Sequence, residues 1–443
     1  MPSIKLCIVG GGSSYTHHML YTFAKHVQTG DLAGSKIVLY DINEENAKLM
    51  SAFGNSIAKA KGLDFTVETA DTLECALEGA DFVLSSVRVG GLDQRYLDET
   101  IPLKYGILGQ ETTGVGGIFM ICRNANFIVK LAQSIDRICP DAILINYTNP
   151  TGMVAELTSR VAKVKTFGLC DGVAGVKWLL RALMGISWED IHKIEADVAG
   201  VNHCTWSLAL RYKGKDLYEH MDELVEKAEY IKEIHEDSSL ADACRLYKYY
   251  GLLPGSPYYT RYYYTLSKVI KQFSSPSHEH RSQNLRKQAS EIRSHCREQI
   301  GKDDADFLPY NPEHAAHGDQ AIGTIHSIAC DTGKIDIVNV CNNGVIGNLP
   351  DSSIVEVPAR LTSKGVEPIN MGLLPDSVLG VVQMVDIHCR LAVDAAQTGD
   401  KKLIMQAAMA HPCNRDLGSV EACIEEMFKR NKDWLPQFAA VSK

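Results

Sequence analysis

Ile4-Lys5-Leu6-Cys7-Ile8-Val9-Gly10-Gly11-Gly12-Ser13-Ser14-Tyr15 opens the chain with a short apolar run that ends in three glycines. Ile4 to Val9 is rich in β-branched residues and reads as a strand, and Tyr15 to Val27 can be helical. A glycine turn between a strand and a helix lets the backbone approach a pyrophosphate closely, at the helix end where amide N–H groups gather. Gly10, Gly12, Ser13 and Ser14 are therefore candidate contacts to a dinucleotide. Tyr15 stands where the usual G-x-G-x-x-G pattern has its third glycine, so the turn alone also reads as a plain structural turn.

The next segment decides between those readings. Lys36 to Tyr40 is a second strand candidate, and it ends at Asp41. A carboxylate there accepts hydrogen bonds from both ribose hydroxyls of NAD and repels the 2′-phosphate of NADP. A helix is expected from Glu44 to Lys61, then strands at Asp81 to Val87, Ala142 to Tyr147 and Thr166 to Leu169. Strands alternating with helices predict an α/β fold with a doubly wound parallel sheet of Rossmann type. After about residue 195 the pattern changes. Charged helical segments run from Glu219 to Tyr250 and from Ser282 to Glu298, a β-rich section covers Lys334 to Leu361, and a helical tail begins at Leu379. The expected organisation is a dinucleotide-binding domain over residues 1–195 and a mixed α/β domain over 196–443.

At 443 residues and 45% apolar composition the chain can bury a large core. A net charge of −9 argues against a nucleic-acid partner, which asks for a basic face, while leaving room for a local basic pocket. The apolar run before Gly10 is too short for a signal peptide, and no later stretch is expected to approach the roughly 18–20 apolar residues that span a bilayer. The 13 cysteines are scattered singly without a C-x-x-C pair, and read as reduced, mostly core thiols of a cytoplasmic protein.

Further motifs stand along the chain. They are GGGSSYT from Gly10, RVGGLDQRYLDETIPLKYGILGQETTGVGG from Arg88, NYTNPTG from Asn146, GLCDG from Gly168 and GVNHCTW from Gly200. YYTRYYY from Tyr258, HEHR from His278 and VNVCNNGVIGNLPDSSIVEVP from Val338 follow. As an ordered set covering most of the chain, they resemble glycoside hydrolase family 4, which shares the lactate/malate dehydrogenase fold. That family departs from two-carboxylate glycosidase chemistry. The resemblance implies a redox-assisted elimination: hydride passes from sugar C3 to NAD, a tyrosine takes the acidified C2 proton, the C1 substituent leaves, water adds, and the C3 ketone is reduced again. It also implies a homodimer or homotetramer.

Carried onto this chain, the resemblance makes Cys170 and His203 ligands of a divalent metal, most readily Mn²⁺; a thiolate and an imidazole also suit Fe²⁺, Co²⁺ or Ni²⁺. A buried thiol and a core histidine are the alternative. It makes Tyr259 the base, with Tyr258 one residue away as the other choice, and Arg261 or the metal as the cation that a phenol needs to work near neutral pH. Asp171 resembles the residue of members that cleave α-linked 6-phosphoglucosides and can protonate the leaving oxygen; its alternative role is a helix N-cap. Gly172-Val173-Ala174 after it depart from the family's usual Met-Pro or Val-Pro. Asn149 resembles a residue that binds sugar hydroxyls, although Asn before Pro also starts turns. Glu111 faces the cofactor or substrate without an assigned role. Arg88, Arg95 and Ser13 resemble positions that hold a 6-phosphate, with Arg281 a further candidate, arginine being suited to forked phosphate contacts. The segment from His314 to Gln320 lacks the arginine-glycine-glycine pattern of many β-phosphoglucosidases.

The implied activity is a 6-phospho-α-glucosidase. The alternatives are a 6-phospho-β-glucosidase, a family member acting on unphosphorylated hexosides, an ordinary sugar dehydrogenase, and a non-catalytic sensor that kept the fold.

Overall fold

The computed structural model describes residues 2–303 and 315–439; His314 lies outside them. Six parallel strands form the centre: β1 (Lys5–Val9), β2 (Ser35–Tyr40), β3 (Phe65–Thr69), β4 (Phe82–Ser85), β5 (Ile143–Asn146) and β6 (Lys165–Gly168). Their spatial order, β3-β2-β1-β4-β5-β6, is that of a dinucleotide-binding sheet, with the reversal of direction beside β1. Glycine turn and switch point therefore coincide.

The helix Glu44–Lys61 shows how local sequence sets an element. Asn43 caps it by accepting the Asn46 N–H, Glu44 and Glu45 occupy the positive end, and Lys59 and Lys61 the negative end. Gly62 then stops it in a left-handed conformation. β3 is absent from the sequence reading because Phe65-Thr66-Val67-Glu68-Thr69 buries only Phe65 and Val67, a pattern too short to register.

The second half of the chain does not stand apart from this sheet. After a three-stranded antiparallel sheet of β7 (Ile194–Val201), β8 (Cys204–Tyr212) and β9 (Lys215–Asp216), the strands β10 (Ile335–Cys341), β11 (Ile354–Thr362) and β12 (Gly365–Pro368) return to the edge of β6. They make a nine-stranded sheet in which β10 lies antiparallel to β6, paired at Asn339 and Gly168. The β-rich section expected at 334–361 is there. Hydrophobic periodicity gave no sign that it extends the first sheet. The β7–β8 hairpin also went unread.

Contrary to expectation, one helix among the described residues, Gly114–Ile138, is by length and composition long and apolar enough to cross a membrane. Val115, Ile118, Phe119, Ile121 and Ile128 belong to a core cluster shared with Met153, Val154 and Ala392 of neighbouring helices. It is a central helix, most of it buried. All 13 cysteines are free thiols, and only Cys75 is exposed.

Candidate active site

A single cavity of about 1070 Å³ runs from the glycine turn to the short helix Pro257–Tyr264, and every site residue expected from the sequence except Arg261 lines it. At one end Gly10 is left-handed, with φ +89°, and a Cβ on it would lie 2.2 Å from the Ser86 carbonyl oxygen. No side chain larger than hydrogen fits there. The Gly12 N–H donates to Asp41 Oδ2 at 2.9 Å and the Asn43 N–H to Oδ1 at 2.8 Å, which fixes the carboxylate at the end of β2. The helix Thr16–Gln28 follows with no acidic residue in its first turn. Ser13 and Ser14 lie at its mouth. This end has the features of a pyrophosphate and ribose site.

At the other end Cys170, at the tip of β6, faces His203 across 3.4 Å between Sγ and Nε2. His203 sits in the tight turn between β7 and β8 with φ +65°. Such a backbone is uncommon for a non-glycine residue, histidine being among those that adopt it more readily. Both residues are buried. Metal–sulfur and metal–imidazole bonds of roughly 2.3 and 2.1 Å, at angles between octahedral and tetrahedral, place the two donors about 3.1 to 3.6 Å apart. The observed separation fits a shared cation. The outer nitrogen of His203, Nδ1, has no hydrogen-bond partner among the described residues, and His203 lines a small cavity of about 20 Å³ together with His388 and His411.

The Tyr259 ring lies flat on the His203 imidazole, with centroids 3.4 Å apart and planes 8° from parallel. Burial pushes its phenol well above the usual range, the Cys170 and Asp171 charges push it further, and Arg95 opposes them. Arg261 is not the cation facing this phenol. Its guanidinium stacks on Tyr258, 4.7 Å from the ring centre, and donates to Ser238. Tyr258 itself is exposed. Asp171 does not cap its turn either; the cap is Cys170, whose Sγ accepts the Gly172 N–H.

Between the two ends lies Glu111, only 4% exposed. It pairs with Arg88, holds Arg95 Nη1 at 2.6 Å, and accepts from Asn149 Nδ2 at 3.3 Å. Arg95 also reaches Glu99, 2.7 Å away, and Glu99 accepts from the Ser282 backbone and hydroxyl. Burial and Arg95 bring Arg88 down to about 9. The two arginines are thus locked into one network with two carboxylates, with Arg95 the more enclosed. Arg281 begins the helix Arg281–Gln299, exposed and next to Ser282, which ties this helix to Glu99; Arg281 and Arg293 both line the cavity.

Sequence reading missed Glu356 on β11. Buried at the floor of the site, it accepts from Asn202 Nδ2 at 2.9 Å and Asn339 Nδ2 at 3.0 Å, so it holds the turn that presents His203. Burial raises its carboxyl to about 7. The one signal was a lone acid inside the apolar run Ile354-Val355-Glu356-Val357. Gln320, which donates to the Cys170 carbonyl and accepts from Tyr147, was missed as well.

Fold and cavity together define a Rossmann-type enzyme in which a glycine turn and a buried thiol–imidazole pair share one chamber. The family description "Family 4 glycosyl hydrolase" matches residues 5–186, and "Family 4 glycosyl hydrolase C-terminal domain" matches 198–413. The chain belongs to family 4 of the glycosyl hydrolases. It is 32% identical to a probable 6-phospho-beta-glucosidase of Bacillus subtilis, over 98% of both chains. It is 28% identical to maltose-6'-phosphate glucosidase of the same organism, over 98% of this chain and 97% of the other. The 6-phospho-beta glucosidase of Thermotoga maritima, solved with manganese, NAD+ and glucose-6-phosphate, superposes with a TM-score of 0.83 at 28% identity, covering 97% and 99% of the two chains. A lactate dehydrogenase of Eimeria maxima shares the fold alone, with a TM-score of 0.55 at 16% identity over 90% of this chain and 96% of the other.

Proposed function

We propose that this chain is an NAD- and manganese-dependent 6-phospho-glucosidase, and that its preferred substrate is α-linked. The observation that carries the reading is the Cys170–His203–Tyr259 cluster in one cavity with the glycine turn. NAD, held by Gly10, Gly12, Ser14 and Asp41, would supply reversible hydride transfer, and a divalent cation on Cys170 and His203 would polarise the sugar oxygens and ease ionisation of the phenol.

The chain's own groups account for the proton steps. Tyr259 takes the proton from C2 onto its phenolate oxygen. As the C1–O bond breaks, Asp171 gives its proton to the leaving oxygen; when water adds at C1, Asp171 takes the water's proton and Tyr259 returns its own to C2. Asn149 orients a sugar hydroxyl while Glu111 holds it. Ser13, Arg88 and Arg281 contact the 6-phosphate, and Arg95 steadies that corner through Glu111 and Glu99. A sugar phosphorylated on uptake is found inside the cell, where a dimeric or tetrameric cytoplasmic enzyme would meet it.

Asp171 beside the metal cysteine supports the α linkage. The Bacillus subtilis relative named for the β linkage supports the second reading, a 6-phospho-β-glucosidase. The test is p-nitrophenol release from α- and β-glucosides, each with and without a 6-phosphate, with and without NAD and Mn²⁺. Release from the phosphorylated α anomer, dependent on both additions and without net NADH, is expected. Release from the β anomer would transfer the assignment. NADH accumulating on a free sugar without release would make the protein a dehydrogenase.

A further inference from the structure

The cavity continues past the cation site along one stripe of the turn Asp171–Val173 and the helix Ala174–Met184. Asp171, Gly175 and Trp178 are spaced i, i+4, i+7, and all three line it. At a helical rise of roughly 1.5 Å per residue, Trp178 lies about 10 Å along the axis from Asp171. Gly175 keeps the intervening wall to bare backbone. A Cβ there would stand 3.0 Å from Pro257 Cδ, so the stripe runs close against the helix that carries Tyr259.

Two large aromatic side chains stay open at the far end. Trp178 is 39% and Trp188 58% exposed, and both line the cavity. Their rings meet edge to face, centroids 6.4 Å apart and planes at 72°, which makes an L-shaped corner. Arg181 stacks on Trp188 at 4.2 Å and pairs with Glu233, so one indole is backed by a cation that a carboxylate holds in place. Asp237, also on the cavity wall, keeps this end from being basic. Exposed aromatics held in this way at a cavity mouth are a binding surface in want of a flat, uncharged ring.

We infer that Trp178 and Trp188 form the site for the leaving group, and that it takes an uncharged ring with an apolar face, either an aryl group or a second hexose. The inference rests on the reading of Asp171 as the group at the scissile oxygen. The corner begins about 10 Å along the helix axis from Asp171, and the cation stacked there, Arg181, is already paired with Glu233.

The experiment compares three 6-phosphoglucosides of one anomeric form, with methyl, phenyl and glucosyl leaving groups, on the NAD- and Mn²⁺-loaded enzyme and on Trp178→Ala, Trp188→Ala and the double variant. The methyl compound ends short of the indoles and is the internal control. For the double variant KM is expected to rise at least about tenfold for the ringed substrates, with kcat nearly unchanged, as loss of uniform binding requires. A rise for phenyl alone or glucosyl alone identifies which ring the corner takes. Equal losses on all three, no change on any, or an altered oligomer mass in the variants would overturn the inference. Saturation-transfer NMR with phenol and with glucose, in the presence of NAD and glucose 6-phosphate, needs no turnover. A signal lost in the double variant upholds the corner even if none of the three compounds is cleaved, which would sink the catalytic reading instead; no signal in the parent overturns the corner.

Discussion

The Tyr259 ring and the His203 imidazole are stacked 3.4 Å apart, so the candidate base and the candidate metal ligand form one rigid unit. Their roles are separable because only the hydroxyl of Tyr259 can carry a proton. Tyr259→Phe keeps the stack, and with it Mn²⁺ binding, while C2-proton exchange with solvent and turnover fall by at least about 100-fold. Tyr258→Phe, in the exposed neighbour, leaves exchange within about twofold of the parent, on the scale of surface changes. Exchange followed by NMR in deuterated water is the measurement, and persistent exchange in Tyr259→Phe would move the base elsewhere.

Glu356 supports His203 from beneath. Glu356→Ala leaves the buried Asn339 amide and the half-buried Asn202 amide without their acceptor, at a cost of about 1–3 kcal/mol for the buried donor. Because burial already holds the Glu356 carboxyl largely neutral near pH 6, Glu356→Gln replaces it with a group of similar shape that still offers a carbonyl oxygen. Mn²⁺ affinity, read by electron paramagnetic resonance, is expected to fall about 10- to 100-fold in the alanine variant and to recover most of that loss in the glutamine variant. Equal loss in both would mean that the charge, and not the acceptor, matters.

At the far end of the cavity, Asp41 is held by two backbone N–H groups and keeps lone pairs for a ribose. Asp41→Ala is expected to raise the KM for NAD about 10- to 100-fold, the worth of a hydrogen-bonded charge, and to narrow the preference for NAD over NADP. Mn²⁺ affinity should not move. An unchanged NAD requirement would place the ribose away from β2.

What could be read from the sequence divides by range. Gly10 to Asp41 is legible because strand, turn, helix and strand follow one another within a single unit, and each step has a local cause. The pairing of Cys170 with His203 across 33 positions has no local cause; family resemblance supplied it, and β6 and the β7–β8 turn bring the two within 3.4 Å. Glu111 was found without its role, since that role is to hold Arg88, Arg95 and Asn149, which come from a loop, a helix and a second loop. Arg95, and not Arg261, is the arginine whose charge opposes the rise of the Tyr259 phenol, because arginine orientation depends on packing that spacing does not encode. The return of β10 to the edge of β6 is likewise a long-range pairing, and Lys334 to Leu361 carries the same alternation whichever sheet it joins.

His388 supplies a test in pH. Its ring is buried, with Nδ1 against the Ala407 carbonyl at 2.8 Å and the His411 ring 4.6 Å away, and burial lowers it from 6.5 to about 4. Between those values the unfolded chain binds one more proton than the folded one at this position, so stability rises with pH through the window. The contribution is whole above pH 6.5 and drains away toward pH 4, at about 1.4 kcal/mol per pH unit. The total curve hides it, because Glu156 and Glu356, both raised to about 7, work in the opposite sense. Comparing the parent with His388→Gln cancels those groups. From pH 6.5 to pH 5 the parent is expected to lose about 2 kcal/mol of unfolding free energy relative to the variant. Urea titrations at the two pH values measure it, and parallel losses in both proteins would show that His388 stays protonated in the fold.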